Sequence, residues 1–109
     1  MALVKIYIAS PYTKGDKDRN TYVQILAADV LANYGFVPYA PLLNHFWQGY
    51  FPHDYDFWLR LDLEWLPMCD ALLRLPGESE GADKEVARAI ELHTPVFYSR
   101  IELLTERSK

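Results

Sequence analysis

The chain alternates short apolar runs with longer segments in which apolar residues recur at helical spacing. The short runs are rich in β-branched and aromatic residues and are bounded by Pro, Gly or Ser, which is typical of strands. They cover residues 3–9, 36–40, 71–75 and 95–98, and the longer segments predict helices at 18–34, 54–66, 81–93 and 101–106. This alternation predicts an α/β fold, a Rossmann or flavodoxin-like three-layer sandwich around a parallel sheet of about four strands in the order 2-1-3-4.

Local signals refine this scheme. Pro38 has no N–H to donate to a neighbouring strand, so the second strand is expected at an edge of the sheet. Asp54 is expected to cap the second helix. The first helix carries Tyr22, Ile25, Leu26 and Val30 at helical spacing. Residues 41–53 are predicted to be a loop rich in aromatic residues.

The composition places the chain among small globular domains. Its 109 residues, half of them hydrophobic, suit one domain spanning residues 1–109. A domain of this size gains from burying more surface, so a homodimer or larger homo-oligomer is expected. The formal net charge is −4 and Lys and Arg form no cluster, so duplex nucleic acid is not an expected partner.

Signals for membrane insertion and export are missing from the sequence. No apolar run is long enough to cross a membrane, and residues 3–9 are too few for the apolar core of a signal peptide. Cys69, the single cysteine, lies in an apolar stretch and is expected to be a buried thiol rather than a nucleophile. We therefore expect a cytoplasmic protein without a membrane partner.

The edge of the sheet where ligands are expected can be located from the topology. Parallel sheets bind ligands beyond the carboxyl ends of their strands, where the winding direction reverses. In this chain that edge is formed by residues 10–14, 42–47, 77–85 and 98–99. Candidate chemistry is therefore expected in these segments and in the helices beside them.

Glu85 is the first candidate. It lies one turn into the helix that follows the third strand, beside Ala82 and Ala89, at the edge of the face expected to be buried. Small neighbours leave room around its side chain, and the nearby helix N-terminus favours a negative charge, so the pattern suits an ionised carboxylate facing a pocket. The alternative is an ordinary first-turn glutamate exposed to solvent.

Asp62 is the second candidate. Trp58 and Trp65 lie four residues before it and three after it on the same helix, so its carboxyl group is expected among aromatic rings. Burial there would raise its pKa and make it a general acid at neutral pH. The alternative is a partly buried aspartate that accepts a hydrogen bond from a loop N–H. Together with Glu85, a protonated Asp62 would form the pair of carboxyl groups used in glycosyl transfer.

Two turns offer hydroxyl groups, glycines and a lysine to an anion or a sugar hydroxyl. They contain Gly77, Ser79 and Gly81 before a helix, and Ser10, Tyr12 and Lys14 after the first strand. The first turn resembles a phosphate cradle, although Glu78 and Glu80 oppose an anion there. Plain turn chemistry is the alternative for both.

Histidines and aromatic residues complete the candidates. His45, His53 and His93 lack the spacing of metal ligands, so neither a metal nor another cofactor is expected. His45 lies at the ligand-binding edge and is a candidate contact. Trp47 and Trp58 belong to an aromatic group between positions 46 and 58 that either stacks on a base or forms a dimer interface.

Taken together, these stretches resemble the nucleoside 2-deoxyribosyltransferase superfamily, which includes deoxynucleoside 5′-monophosphate N-glycosidases and short relatives. The likeness spans nearly the whole chain and is carried by KIYIASPY, DLEWLPMCDALL, SEGADKEVARAI and the PVFY strand. It implies that Glu85 is the nucleophile, that Asp62 assists catalysis and that Tyr7 orients the nucleophile. It also implies that Ser79 matches a phosphate-binding serine of the nucleotide-specific branch.

The resemblance implies cleavage or transfer of the N-glycosidic bond of a nucleoside, a deoxynucleoside or a nucleoside 5′-monophosphate. The nucleotide-specific branch has a Ser-x-Arg-Gly-Gly loop after the first strand, whereas residues 10–15 of this chain contain no arginine. Lys14 offers a point charge there without the bidentate geometry of arginine. A non-catalytic nucleotide-binding or sensing module of the same fold is the alternative.

Overall fold

The computed structural model describes residues 4–108, with side chains as far as residue 106. Parallel strands form one sheet in the order β2-β1-β3-β4, where β1 is Lys5–Ala9, β2 is Val37–Tyr39, β3 is Ala71–Arg74 and β4 is Val96–Phe97. The predicted α/β class and strand order are confirmed, and Pro38 lies in an edge strand as expected. Leu3, where the first strand was predicted to begin, lies outside the described residues.

Helices cover both faces of the sheet. They are α1 (Lys17–Asn33), α2 (Asn44–Tyr50), α3 (Tyr55–Trp65), α4 (Glu80–Glu91) and α5 (Arg100–Ser108). Ile6 of β1 packs in one core with Leu31 of α1 and Leu103 of α5. The next residue, Tyr7, packs in a second core with Ala89 of α4. Because side chains alternate along a strand, β1 supplies both cores and the domain has three layers.

Side-chain caps fix where α1, α3 and α4 begin. Asp16 accepts hydrogen bonds from two N–H groups in the first turn of α1. Asp54 caps α3 through the N–H of Phe57 at 2.9 Å, as predicted. Ser79 caps α4 through the N–H of Ala82 at 3.1 Å. Each cap satisfies an N–H group that has no partner inside its helix, so the starting residue of each helix is well defined.

Residues 41–53 do not form the predicted loop. Pro41–Leu43 form a short 3-10 helix, and α2 follows directly. The amide of Gln48 donates to the carbonyl oxygen of His53 and accepts from its N–H, at 3.0 and 2.9 Å. The prediction was wrong because a seven-residue helix that contains Gly49 has a weak local signal and depends on contacts of this kind.

The sheet-facing side of α1 also differs from the apolar spacing in the sequence. Tyr22 and Leu26 are 61% and 44% exposed, whereas Thr21 and Gln24 are buried. Apolar residues surround this helix, so their periodicity did not identify the buried face. None of the described helices combines the length and apolar character needed to cross a membrane.

Candidate active site

A cavity of about 640 Å³ opens where the segments that follow β1, β2 and β3 meet. This is the carboxyl edge of the sheet, and the volume lies within the range of small-molecule sites, roughly 300–1,000 Å³. Of the residues singled out in the sequence, the cavity is lined by Ser10, Tyr12, Lys14, His45, Trp58, Asp62, Ser79, Gly81 and Glu85.

Glu85 lies in the cavity wall and is only 7% exposed, which excludes the alternative of an ordinary exposed glutamate. Ala82 and Ala89, one turn away on either side, are buried and small, so α4 lies close to the sheet there. Tyr7 of the central strand β1 is fully buried beneath the helix, and its hydroxyl group donates a hydrogen bond to Oε2 of Glu85. Glu85 is therefore held in place from the floor of the site.

The charge state of Glu85 differs from the ionised carboxylate expected from the sequence. Its pKa is raised to about 8, chiefly by burial and in smaller part by the nearby carboxyl group of Asp62. The hydrogen bond from Tyr7 and the positive charge of Arg74 act in the opposite direction. The expectation was wrong because it counted the helix N-terminus, which favours the charge, but not the loss of water around a nearly enclosed side chain.

Tyr7 remains a hydrogen-bond donor over the working range of pH. Burial, followed by the negative charge of Glu85, raises the pKa of its phenol well above the usual value. A phenol that stays protonated can donate to an oxygen of Glu85 whether that carboxyl group is ionised or protonated. Tyr7 can therefore stabilise the ionised form of Glu85 without itself losing a proton.

Asp62 lies on the cavity wall contributed by α3. Burial raises its pKa to about 7, the direction expected from its aromatic neighbours. Within the described part of the chain, its buried Oδ1 atom has no hydrogen-bond partner, unlike the backbone-satisfied aspartate considered as the alternative. A buried carboxyl oxygen without a partner favours the protonated form and leaves a group that a ligand can satisfy.

The loop after β1 contributes Tyr12 and Lys14 to the wall. The hydroxyl oxygen of Tyr12 lies 2.6 Å from Nδ1 of His45, and Nε2 of His45 lies 2.9 Å from Oδ1 of Asp18. Nζ of Lys14 lies 2.9 Å from a carboxylate oxygen of Glu78, an acidic residue in the turn before α4. This exposed ion pair is weak, so the lysine can still turn toward a phosphate group, but the negative charge of Glu78 beside it opposes an anion.

The turn before α4 contributes Ser79 and Gly81. The hydroxyl oxygen of Ser79 accepts the capping hydrogen bond from Ala82, so its hydrogen remains available to a ligand. Gly81 leaves room for Tyr55, whose hydroxyl oxygen would lie 3.3 Å from a Cβ atom placed there. The glycine therefore lets the aromatic wall of α3 approach the beginning of α4.

Trp47 and Gly77, both predicted to bind substrate, lie outside the cavity lining. The ring of Trp47 packs edge-on against that of Trp58, with centroids 4.9 Å apart. Gly77 lies in a turn that packs against Pro11. Position in the chain gives the segment in which a residue lies but not whether its side chain reaches the cavity.

Gly77 has a structural role that can be tested by substitution with alanine. Its φ is +121°, and a Cβ atom would lie 2.6 Å from Cγ of Pro11. We expect Gly77→Ala to lower the free energy of unfolding by about 2–3 kcal/mol, because backbone strain and overlap act together. Gly15→Ala is the matched control, since Gly15 has a φ of +84° with nothing within 4 Å. Urea unfolding should show a clearly smaller loss for the control; equal losses would contradict the overlap.

The wall also contains polar residues that the sequence did not single out, among them Lys17, Gln24, Asn44 and Gln48. Gln24 lies between Val23 and Ile25 and belongs to no motif, so nothing in the sequence distinguishes it.

Among the described residues, no three side chains of His, Cys, Asp or Glu are arranged to share a metal ion.

Comparisons with known proteins bear on the family and the fold. The model of a family described as Domain of unknown function (DUF7768) matches residues 4–99. No curated protein matches the chain. A solved 2-deoxyribosyltransferase from the psychrotolerant bacterium Bacillus psychrosaccharolyticus is similar in structure, with a TM-score of 0.65 and 23% identity over 85% of this chain and 69% of that one. At this identity the likeness concerns the fold, which the two proteins share.

Proposed function

The chain belongs to the family described as Domain of unknown function (DUF7768), and we propose that it cleaves or transfers the N-glycosidic bond of a nucleoside or nucleoside 5′-monophosphate. The observation that carries the proposal is a pair of carboxyl groups, those of the buried Glu85 and the partly buried Asp62, in the wall of one cavity. Glu85 accepts a hydrogen bond from the buried Tyr7, and Oδ1 of Asp62 has no hydrogen-bond partner among the described residues.

The two carboxyl groups suit different roles in the reaction. Glu85, ionised and held by Tyr7, attacks the anomeric carbon as the bond to the base breaks, and the electron pair of that bond leaves with the base. Asp62 gives its proton to the departing base, so the base leaves neutral and Asp62 becomes ionised. The product of this step is a glycosyl ester on Glu85.

The second half of the reaction releases the sugar. Asp62, now a carboxylate, takes a proton from water or from a second base as that molecule attacks the anomeric carbon and displaces Glu85. Water gives hydrolysis, and a second base gives transfer. The likeness to a solved 2-deoxyribosyltransferase, presented as a biocatalyst for the synthesis of nucleosides, supports the proposal of transfer.

The proposal is tested by incubating the protein with nucleosides, deoxynucleosides and their 5′-monophosphates and measuring free base by chromatography. Adding a second base to each reaction distinguishes transfer from hydrolysis, because transfer produces a new nucleoside. Release of base from at least one member of the panel is the expected result. No release from any member, with or without the second base, would overturn the proposal.

A non-catalytic binding module is the second candidate, and the raised pKa values of the pair favour it. Near pH 7 a large fraction of each carboxyl group is protonated. A protonated carboxyl group can donate a hydrogen bond to a ligand but does not attack it. This candidate predicts that a nucleoside or nucleotide raises the melting temperature of the protein while no base is released.

The activity of the enzyme should depend on pH as a bell-shaped curve. The reaction needs one proton on the pair, and the pKa values of Asp62 and Glu85 are raised to about 7 and about 8. We therefore expect kcat/KM to be highest between about pH 7 and pH 8. It should fall at lower pH because Glu85 stays protonated, and at higher pH because Asp62 loses the proton that it gives to the base.

The variant Asp62→Asn tests the origin of the two limbs. Its residual activity should lose the alkaline limb, and the acidic limb should move to lower pH because the carboxyl group of Asp62 no longer raises the pKa of Glu85. Glu64→Gln on the exposed side of the same helix is the matched control and should keep the bell. An unchanged bell in Asp62→Asn would contradict the assignment.

Exposed aromatic residues support the predicted homo-oligomer. Tyr50 and Phe51, at the end of α2, are 81% and 68% exposed, and the aromatic group that includes Trp47 lies beside them. Large exposed apolar residues in one region are typical of protein contacts.

The single domain spanning residues 1–109 and the cytoplasmic location stay predictions.

A further inference from the structure

Gln24 is a fully buried amide at the floor of the proposed active site. It lies in the middle of α1, is 0% exposed and lines the cavity. Its side chain joins the end of β1 to the segment after β2: Nε2 lies 3.2 Å from the carbonyl oxygen of Ile8, and Oε1 lies 2.8 Å from the N–H of Leu42. Burying an amide in a helix is unfavourable unless its groups are paired, and here they are.

The two backbone partners determine which way the amide is turned. The carbonyl of Ile8 can only accept and the N–H of Leu42 can only donate, so the nitrogen must face Ile8 and the oxygen must face Leu42. The remaining hydrogen of the Gln24 nitrogen then donates to Oγ of Ser10, at 2.7 Å. The direction of this hydrogen bond follows from chemistry, because reversing the amide would leave both backbone groups without a partner.

The consequence falls on Ser10. Its hydroxyl oxygen accepts a hydrogen bond from Gln24, and within the described residues the hydroxyl group makes no other hydrogen bond. Its own hydrogen is therefore left to a molecule in the cavity that Ser10 lines. We infer that Gln24 is a positioning residue that makes Ser10 a hydrogen-bond donor to the substrate, which presents an oxygen acceptor at that point. This inference rests on the proposed function and adds to it the polarity of one substrate contact.

The acceptor on the substrate is a sugar hydroxyl oxygen or a phosphate oxygen, which share the same lone-pair chemistry. The two sources are separated by the substrates used. Nucleosides that lack one sugar hydroxyl at a time identify a hydroxyl acceptor, and the ratio of activity on the 5′-monophosphate to that on the nucleoside identifies a phosphate acceptor. For a substrate without the acceptor, Ser10 should contribute nothing.

The test is a double-mutant cycle between Gln24 and Ser10, using kcat and KM for the best substrate of the panel. Ser10→Ala should lower kcat/KM about tenfold, the loss of one hydrogen bond. Gln24→Glu should cause a similar loss, because the oxygen that replaces Nε2 carries at most one hydrogen, which the carbonyl of Ile8 takes, so this oxygen can only accept the hydrogen of Ser10 and withdraw it from the cavity. In the Ser10→Ala background, Gln24→Glu should have no further effect.

Three controls keep the outcome decisive. Thr21→Val changes a buried residue one turn earlier on α1 and should leave kcat/KM unchanged. Gln24→Met replaces Gln24→Glu in the cycle if the latter does not fold. With the substrate analogue that lacks the acceptor, the variants of both positions should match the wild type, which a purely structural role of Gln24 would not produce.

Two results would overturn the inference. Losses that add in the double variant would mean that Gln24 acts independently of Ser10, and a loss that persists on every analogue would mean that it acts through the fold. If the wild type releases no base at all, the proposed function fails. The contact between Ser10 and a ligand can then still be tested with the same double-mutant cycle, by measuring how much a nucleoside or nucleotide raises the melting temperature of each variant.

Discussion

Replacing Glu85 with glutamine should reduce base release by at least about 10³-fold while leaving the fold intact. Glutamine has nearly the same shape, and its carbonyl oxygen can accept the hydrogen bond that Tyr7 gives to the carboxylate. What it lacks is the negative charge that attacks or stabilises the anomeric carbon. The measurement is the rate of base release at pH 7.5, together with the circular dichroism spectrum and melting temperature of the variant.

Glu91→Gln is the matched control, because Glu91 ends the same helix and is exposed. It removes one negative charge from α4 and should leave the rate unchanged. If Glu85→Gln retained more than about a tenth of the wild-type rate, Glu85 would not be the nucleophile. If both variants lost activity together, the overall charge of the helix rather than one carboxylate would be responsible.

The fold could be predicted because its local signals agree with one another. Ile6 and Ile8 lie in a run of strand formers on β1, and alternate positions along that run face the two cores. Asp54 provides the cap of α3, and Pro38 marks an edge strand. Once strands and helices alternate, the handedness of parallel crossovers leaves few possible topologies, so the order of the strands followed as well.

The site could be predicted only in part, because its geometry depends on contacts between distant segments. The charge state of Glu85 is set by its burial and by its contacts with Tyr7 and Asp62, none of which is visible in helical spacing. Gln24 bonds to residues 16 positions before it and 18 positions after it, so no local motif could identify it. The direction in which Trp47 faces was likewise fixed by its packing on another helix.

The buried pair should also make the protein less stable as the pH rises, and Glu85→Gln should remove most of that loss. The pKa of Glu85 is raised to about 8 in the folded chain, and an exposed glutamate has a pKa near 4.3, so the folded state holds its proton more tightly. Its contribution to stability is therefore fully present below about pH 4 and is lost as the pH rises toward 8.

Uncharged glutamine does not undergo this loss. At pH 9 the variant should exceed the wild type in free energy of unfolding by roughly 3 kcal/mol, a conservative part of the shift in pKa, whereas at pH 4 the two should be nearly equal. Urea unfolding of the wild type, Glu85→Gln and the exposed control Glu91→Gln at pH 4, 7 and 9 measures the difference. An advantage of Glu85→Gln that is the same at all three pH values would mean that glutamine packs better, not that a buried charge has been removed. A pH-dependent advantage found together with the loss of base release would show that the group needed for the reaction is the group that destabilises the fold.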